Sequence, residues 1–160
     1  MKKSTKFIIA LLVTVGALAI TYRVVNQAPS KDLAADAQMQ EIITSGGCLQ
    51  CHSGSPDLPF YANWPVASGM VQKDVTQGYR AFDMTEMAEA LKAGKPVGKV
   101  ALAKVEKVIM DGTMPKHAYY MVHWGSSVTD AKKEMAMAWV KQHRLAHYAN
   151  GLAAAEVAHE

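Results

Sequence analysis

The chain has 160 residues, half of them hydrophobic, which suffices for one globular domain with its own core. Its net charge of +3 comes from the amino terminus: Lys2, Lys3, Lys6 and Arg23 precede any acid, and without those four, 13 basic side chains face 14 acidic ones. A body this close to neutral lacks the basic patch of a nucleic-acid binder, so nucleic acid is excluded as a partner.

Phe7 to Ile20 carries no charge and is flanked by Lys6 and Arg23. Lysines ahead of an apolar run orient an export signal with the amino terminus in the cytoplasm. Residues 1–25 are therefore expected to be a signal anchor or a signal peptide. A spanning helix needs about 20 apolar residues, and Phe7 to Val25 reaches that length if Arg23 snorkels to the interface. No small-x-small cleavage site follows Ile20; Ala35-Asp36-Ala37 lies far downstream. The favoured expectation is a single-pass anchor in an inner membrane with the remaining chain in the periplasm. The alternative is a soluble periplasmic protein after cleavage.

Residues 26–32 read as a polar linker around Pro29. Asp32 is placed to cap a helix over 33–45, ended by Gly46-Gly47. A loop-rich stretch with Pro56, Pro59, Pro65 and Gly69 follows. Asp83 and Glu86 have capping-box spacing and open a helix to Ala93, stopped by Gly94 and Pro96. Leu102, Val105, Val108 and Ile109 repeat at helical spacing within 99–110, and Gly112 breaks that helix. A last helix starts near Thr129, with Ala131, Met135, Ala138, Trp139, Gln142, Leu145 and Ala146 on one face, and Asn150-Gly151 ends it. There is no β alternation and no internal repeat. The expected fold is mostly α: a helical domain with long loops over 33–151 and a flexible tail over 152–160.

Both cysteines lie in Cys48-Leu-Gln-Cys51-His52. A thioredoxin-like dithiol would need a βαβ pattern, which is missing. A structural zinc site normally takes four ligands, and no further cysteine is present. A disulfide across two residues closes too small a loop to constrain much of the unfolded chain. Covalent haem attachment accounts for every residue: C-x-x-C-H supplies two thiols for thioether bonds and an imidazole for the iron. The expected cofactor is one covalently attached haem c, held by Cys48, Cys51 and His52, and the expected fold is then a small cytochrome c-like helical domain with long loops around one haem.

The occupant of the sixth iron position governs function. Met39, Met84, Met87, Met110, Met135 and Met137 fall on predicted helices and read as core filler. Met114 stands apart in Gly112-Thr113-Met114-Pro115, just after a helix, and is the preferred ligand. His117, Met121 and His123 are the alternatives. His143 and His147 are one helical turn apart, but two histidines alone are weak grounds for a metal site. Tyr61, Trp64, Tyr119, Tyr120 and Trp124 are candidate pocket walls, and Lys73 and Arg80 candidate partners for haem propionates.

The ordered set of C-x-x-C-H with Ser53, Pro59, Tyr61, Pro65, Gly78-Tyr79, Thr113-Met114-Pro115, Tyr119, His123-Trp124 and Trp139 resembles the haem-binding domain family. It is especially similar to the amino-terminal monohaem domain of membrane-anchored trihaem cytochrome c peroxidases and quinol peroxidases. The resemblance implies a haem that passes electrons from the quinol pool toward a dihaem peroxidase module, with Cys48, Cys51, His52 and Met114 at the matching positions. Those enzymes carry two further C-x-x-C-H motifs, and this chain has none. The expected function is therefore non-enzymatic one-electron transfer, with a dihaem peroxidase or a quinol-oxidising complex as redox partner. The alternatives are a haem-based gas or redox sensor and a small peroxidase with an open sixth position.

Overall fold

The computed structural model describes residues 3–157. Seven α-helices follow in order: α1 (Lys3–Val25), α2 (Ala35–Ser45), α3 (Ser68–Ala81), α4 (Thr85–Lys92), α5 (Lys99–Asp111), α6 (His117–Val122) and α7 (Asp130–Val157). Single 3-10 turns cover Cys48–Gln50 and Trp124–Ser126. Among the described residues there is no strand, as expected for a mostly α chain.

The core forms where α2, α4, α5 and α7 meet. Met39, Ile42 and Ile43 of α2 pack with Met87 and Leu91 of α4, Leu102 and Val105 of α5, and Ala136, Trp139 and Val140 of α7. Met39, Met84 and Met87 are buried filler as expected, whereas Met110 faces solvent. Two polar contacts tie α7 to α2 at one point: Trp139 Nε1 and His143 Nε2 both donate to Asp36 Oδ1, at 2.7 and 2.8 Å.

Several boundaries differ from the sequence reading. α2 starts at Ala35 without a side-chain cap, because Asp32 is occupied in a local turn, its N–H bonded to Ser30 Oγ at 3.2 Å. The stretch around Gly69 is not all loop: α3 runs through it. Only Gly78 of that helix is buried, so its sequence lacks an apolar stripe. α6 is a further helix where none was expected.

The buried face of α7 matches the expected one only in part: Trp139 is buried and Met135 packs against the core. Ala131, Ala138, Gln142, Leu145 and Ala146 are exposed, while Lys132, Ala136, Trp139 and Val140 point inward. The polar residues Lys132, His143 and His147 stand on the inner side and hid its periodicity. Asn150-Gly151 does not end α7, which continues to Val157. The part of the expected tail beyond it, 158–160, lies outside the described residues.

Nor is 26–32 a free linker. Asn26 is buried, 3% exposed. Its Nδ2 donates to the carbonyls of Tyr22 (3.0 Å) and Trp124 (2.5 Å), and its Oδ1 accepts from the N–H of Ser127 at 3.0 Å. Tyr22 reaches the same segment, with its hydroxyl 2.8 Å from Ser127 Oγ. α1 is therefore fastened at its carboxyl end. The rest of it is exposed, and Ser4–Val25, with mean hydropathy 2.2, is long and apolar enough to cross a membrane.

Candidate haem site

The cysteine motif sits between the end of α2 and the loop leading to α3. Gly46 closes α2 by donating to the Ile42 carbonyl at 2.9 Å. Gly47 then adopts φ +64, the left-handed region that favours glycine, and a Cβ there would run into the Tyr119 hydroxyl. This reversal leads directly into the Cys48–Gln50 turn, where the N–H groups of Cys51 and His52 both donate to the Cys48 carbonyl, at 3.3 and 3.0 Å. Cys48, Cys51 and His52 are thus held on one tight turn.

His52 is oriented from both ends. Its Nδ1–H donates to the Phe82 carbonyl at 2.8 Å, and its own carbonyl accepts the N–H of Met84 at 2.7 Å. A histidine whose Nδ1 is bonded to a carbonyl presents Nε2 as the free lone pair, the arrangement that metal-ligating imidazoles use. The segment between α3 and α4 supplies both contacts. Gly78 of α3 allows this approach, because a Cβ there would lie 2.5 Å from the Cys51 carbonyl oxygen.

Both thiols are free and half-buried. Burial pushes the Cys48 thiol up to about 11, and burial followed by the Asp74 charge raises Cys51. An activated redox dithiol shows the opposite shift, toward thiolate at neutral pH. Among the described residues, no group of three or more His, Cys, Asp or Glu side chains is placed to hold a metal ion. Two unactivated thiols beside an oriented imidazole are the donor set that c-type haem attachment requires, and the residues present fit that group.

On a second side stand the loop after α5 and the helix α6. Gly112 closes α5 with φ +61, and Lys116 binds Asp74 of α3 at 2.6 Å, so both ends of the Met114 loop are tied down. Met114 is half-buried within it. Beyond it, Tyr119 donates through its hydroxyl to Gln50 Oε1 at 2.7 Å, joining α6 to the interior of the cysteine motif. Burial, reinforced by the charge of Cys51, pushes Tyr119 up to about 12. His123 stacks on Tyr119 at 4.0 Å and donates from Nδ1 to the Tyr119 carbonyl at 3.1 Å. Its Nε2 accepts the Tyr61 hydroxyl at 2.8 Å.

The alternative sixth ligands are therefore placed very differently from Met114. His123 has both ring nitrogens engaged. His117 is exposed, its ring tilted against Tyr120 with the centres 4.8 Å apart, and Met121 is exposed. Tyr61, Tyr119 and His123 come together, while Trp124 turns away toward Tyr22 of α1, 6.5 Å between ring centres. His143 and His147 do not form a pair: the first binds Asp36, and the second donates to the Val97 carbonyl at 2.7 Å. Lys73 and Arg80 are exposed on α3. Sequence reasoning missed Gln50 and the Phe82 carbonyl. Gln50 lies inside the C-x-x-C-H motif, but nothing in its type signals the tyrosine partner, and a backbone carbonyl leaves no trace in residue type.

The family model described as "Haem-binding domain" matches residues 7–142. The chain is also similar to the cytochrome c peroxidase Ccp of Escherichia coli (strain K12), with 36% identity over 110 residues. That match covers 69% of this chain but only 24% of the relative, so the chain spans about a quarter of that protein's length. No solved structure matches. The match to the family model spans most of the chain and includes the cysteine turn, His52 and the Met114 loop, and the chain belongs to the haem-binding domain family.

Proposed function

We propose that the chain is a membrane-anchored monohaem c-type cytochrome that carries single electrons on the periplasmic side. The observation that carries this reading is the His52 arrangement: Nδ1 is committed to the carbonyl of Phe82, the residue directly after α3, at 2.8 Å, and Nε2 is left for iron. Cys48 and Cys51 would hold one haem through thioether bonds, His52 would be the fifth ligand and Met114 the sixth. When bound, haem c would supply a one-electron iron couple, and a methionine ligand beside the histidine would raise its potential.

The chain's own residues do the rest. The Phe82 carbonyl fixes the ring of His52 and raises its basicity. The Lys116–Asp74 pair and Gly112 restrain the loop so that little rearrangement accompanies a change of iron charge. The Tyr61–His123–Tyr119–Gln50 chain of hydrogen bonds braces α6 against the cysteine turn. It also keeps His123 from acting as a ligand or as a free acid–base group, which disfavours the small-peroxidase reading.

The relative is a peroxidase, and this chain matches only a portion of it. A single C-x-x-C-H fits an accessory electron carrier, with a dihaem peroxidase or a quinol-oxidising complex as partner. α1 fits an uncleaved anchor, since its last turn is bonded into the domain through Asn26 and Tyr22. A potentiometric titration of the matured protein tests the proposal. A single reversible one-electron wave with no sustained peroxide turnover is expected. Steady peroxide reduction by this chain alone would contradict it.

A further inference from the structure

The carboxyl end of α1 and the segment after α6 form one rigid unit. Asn26 bonds Trp124 and Ser127, Tyr22 bonds Ser127, and the Tyr22 and Trp124 rings meet edge to face at 6.5 Å. No flexible spacer separates α1 from this point. The depth of α1 in a bilayer therefore dictates the depth of Trp124.

Helix geometry sets that depth. Ser4–Val25 contains 22 residues, which at about 1.5 Å per residue rise about 33 Å; this matches a hydrocarbon core about 30 Å thick. Tyr22 and Arg23 fall in the last turn of α1, at the outer boundary. Tyrosine and tryptophan collect at that boundary because their rings are apolar and their polar tips stay wet. Trp124, whose ring meets that of Tyr22, is 44% exposed, and Met121 (63%) and Val122 (67%) precede it at the end of α6, all large apolar side chains. None of these three side chains takes part in the cysteine turn or in the hydrogen-bond chain that braces it.

We propose that Met121, Val122 and Trp124 form a second membrane contact, seated in the outer lipid interface beside the exit point of α1. The occupant of this surface is the bilayer. The domain is then held in one orientation, with the α6 side toward the lipid. The inference rests on α1 being a retained anchor, and it goes beyond that reading because an anchor alone does not seat any part of the haem domain in lipid.

Photo-crosslinking tests it on the full, haem-loaded chain, one copy per nanodisc of phosphatidylethanolamine and phosphatidylglycerol. A benzoylphenylalanine is placed in turn at Val13, at Val122 and at Lys107, whose side chain is exposed on α5. After illumination, lipid adducts are counted by mass spectrometry. Adducts at Val13 and Val122 and none at Lys107 are expected. Adducts at Val13 with none at Val122 would overturn the second contact while leaving the anchor intact. Loss of adducts at both positions would overturn the anchor and the contact together. Val122 is exposed, so the replacement does not disturb folding.

Discussion

His52 donates from Nδ1 to the carbonyl of Phe82, 2.8 Å away, and with the Met84 N–H bonded to the His52 carbonyl at 2.7 Å this contact joins the cysteine turn to the segment between α3 and α4. It fixes the tautomer of the imidazole and the direction of its free nitrogen. The contact depends on how closely α3 approaches the motif, and Gly78 sets that approach.

Gly78→Ala is accordingly expected to damage the site from outside it. The added methyl meets the Cys51 carbonyl oxygen at 2.5 Å and Cys51 Cβ at 3.0 Å, both on the cysteine turn itself. Overpacking of this kind costs about 1–3 kcal/mol. Urea denaturation should show that loss, and the yield of covalently attached haem, read by haem staining of denaturing gels, should fall with it. Gly69→Ala, where an added methyl meets nothing, serves as the control and should leave both unchanged.

Asp36 holds α2 to α7 by accepting from Trp139 Nε1 and His143 Nε2. Asp36→Ala leaves the indole N–H of a buried tryptophan without a partner, which costs about 1–3 kcal/mol. Thermal unfolding should shift down. The haem spectrum should not change, because neither bond to Asp36 involves the cysteine turn. Trp139 itself was assigned to the inner face of its helix from sequence, but Asp36 was not linked to it, since the partners lie 103 residues apart.

Leu102 is fully buried where α5 packs on α7. Leu102→Ala should destabilise by about 2–5 kcal/mol. Met110→Ala, at an exposed position of the same helix, should change stability by less than about 0.5 kcal/mol. Denaturant midpoints for the two variants check the pair of outcomes.

Tyr119 gives a pH dependence whose sign follows from its burial. Its folded value is raised from 10.0 to about 12, so the folded chain keeps the proton after the unfolded chain has lost it. The stabilisation is therefore complete below pH 10 and is lost as pH rises from there toward 12. Stability measured across this range should fall less steeply in Tyr119→Phe than in the wild type. The same variant removes the bond to Gln50, worth about 1 kcal/mol at neutral pH.

Much of the site was legible because covalent chemistry demands particular residue types at fixed spacing. Two cysteines and an adjoining histidine left few other meanings, and Gly112 with Pro115 marked Met114 as a loop methionine. The helices with apolar stripes, α2, α4 and α5, were also readable. What was hidden had physical causes. α3 buries only a glycine, so no periodicity announces it. The inner face of α7 carries Lys132, whose Nζ bonds the Ser127 carbonyl at 3.2 Å and Ser45 Oγ at 3.3 Å, and so reads as a solvent position. Asn26 looked like linker because its partners, Trp124 and Ser127, lie about a hundred residues away.

The proposal that His52 and Met114 hold one covalently attached haem as a closed, six-coordinate centre is tested by the absorption spectrum of the matured protein, oxidised, reduced and exposed to carbon monoxide, for wild type and Met114→Ala. A low-spin wild type that resists carbon monoxide is expected, with the weak red band of ferric iron–methionine ligation, and loss of that band in the variant. A high-spin wild type that binds carbon monoxide at once would contradict it, as would a low-spin spectrum that the substitution leaves unchanged.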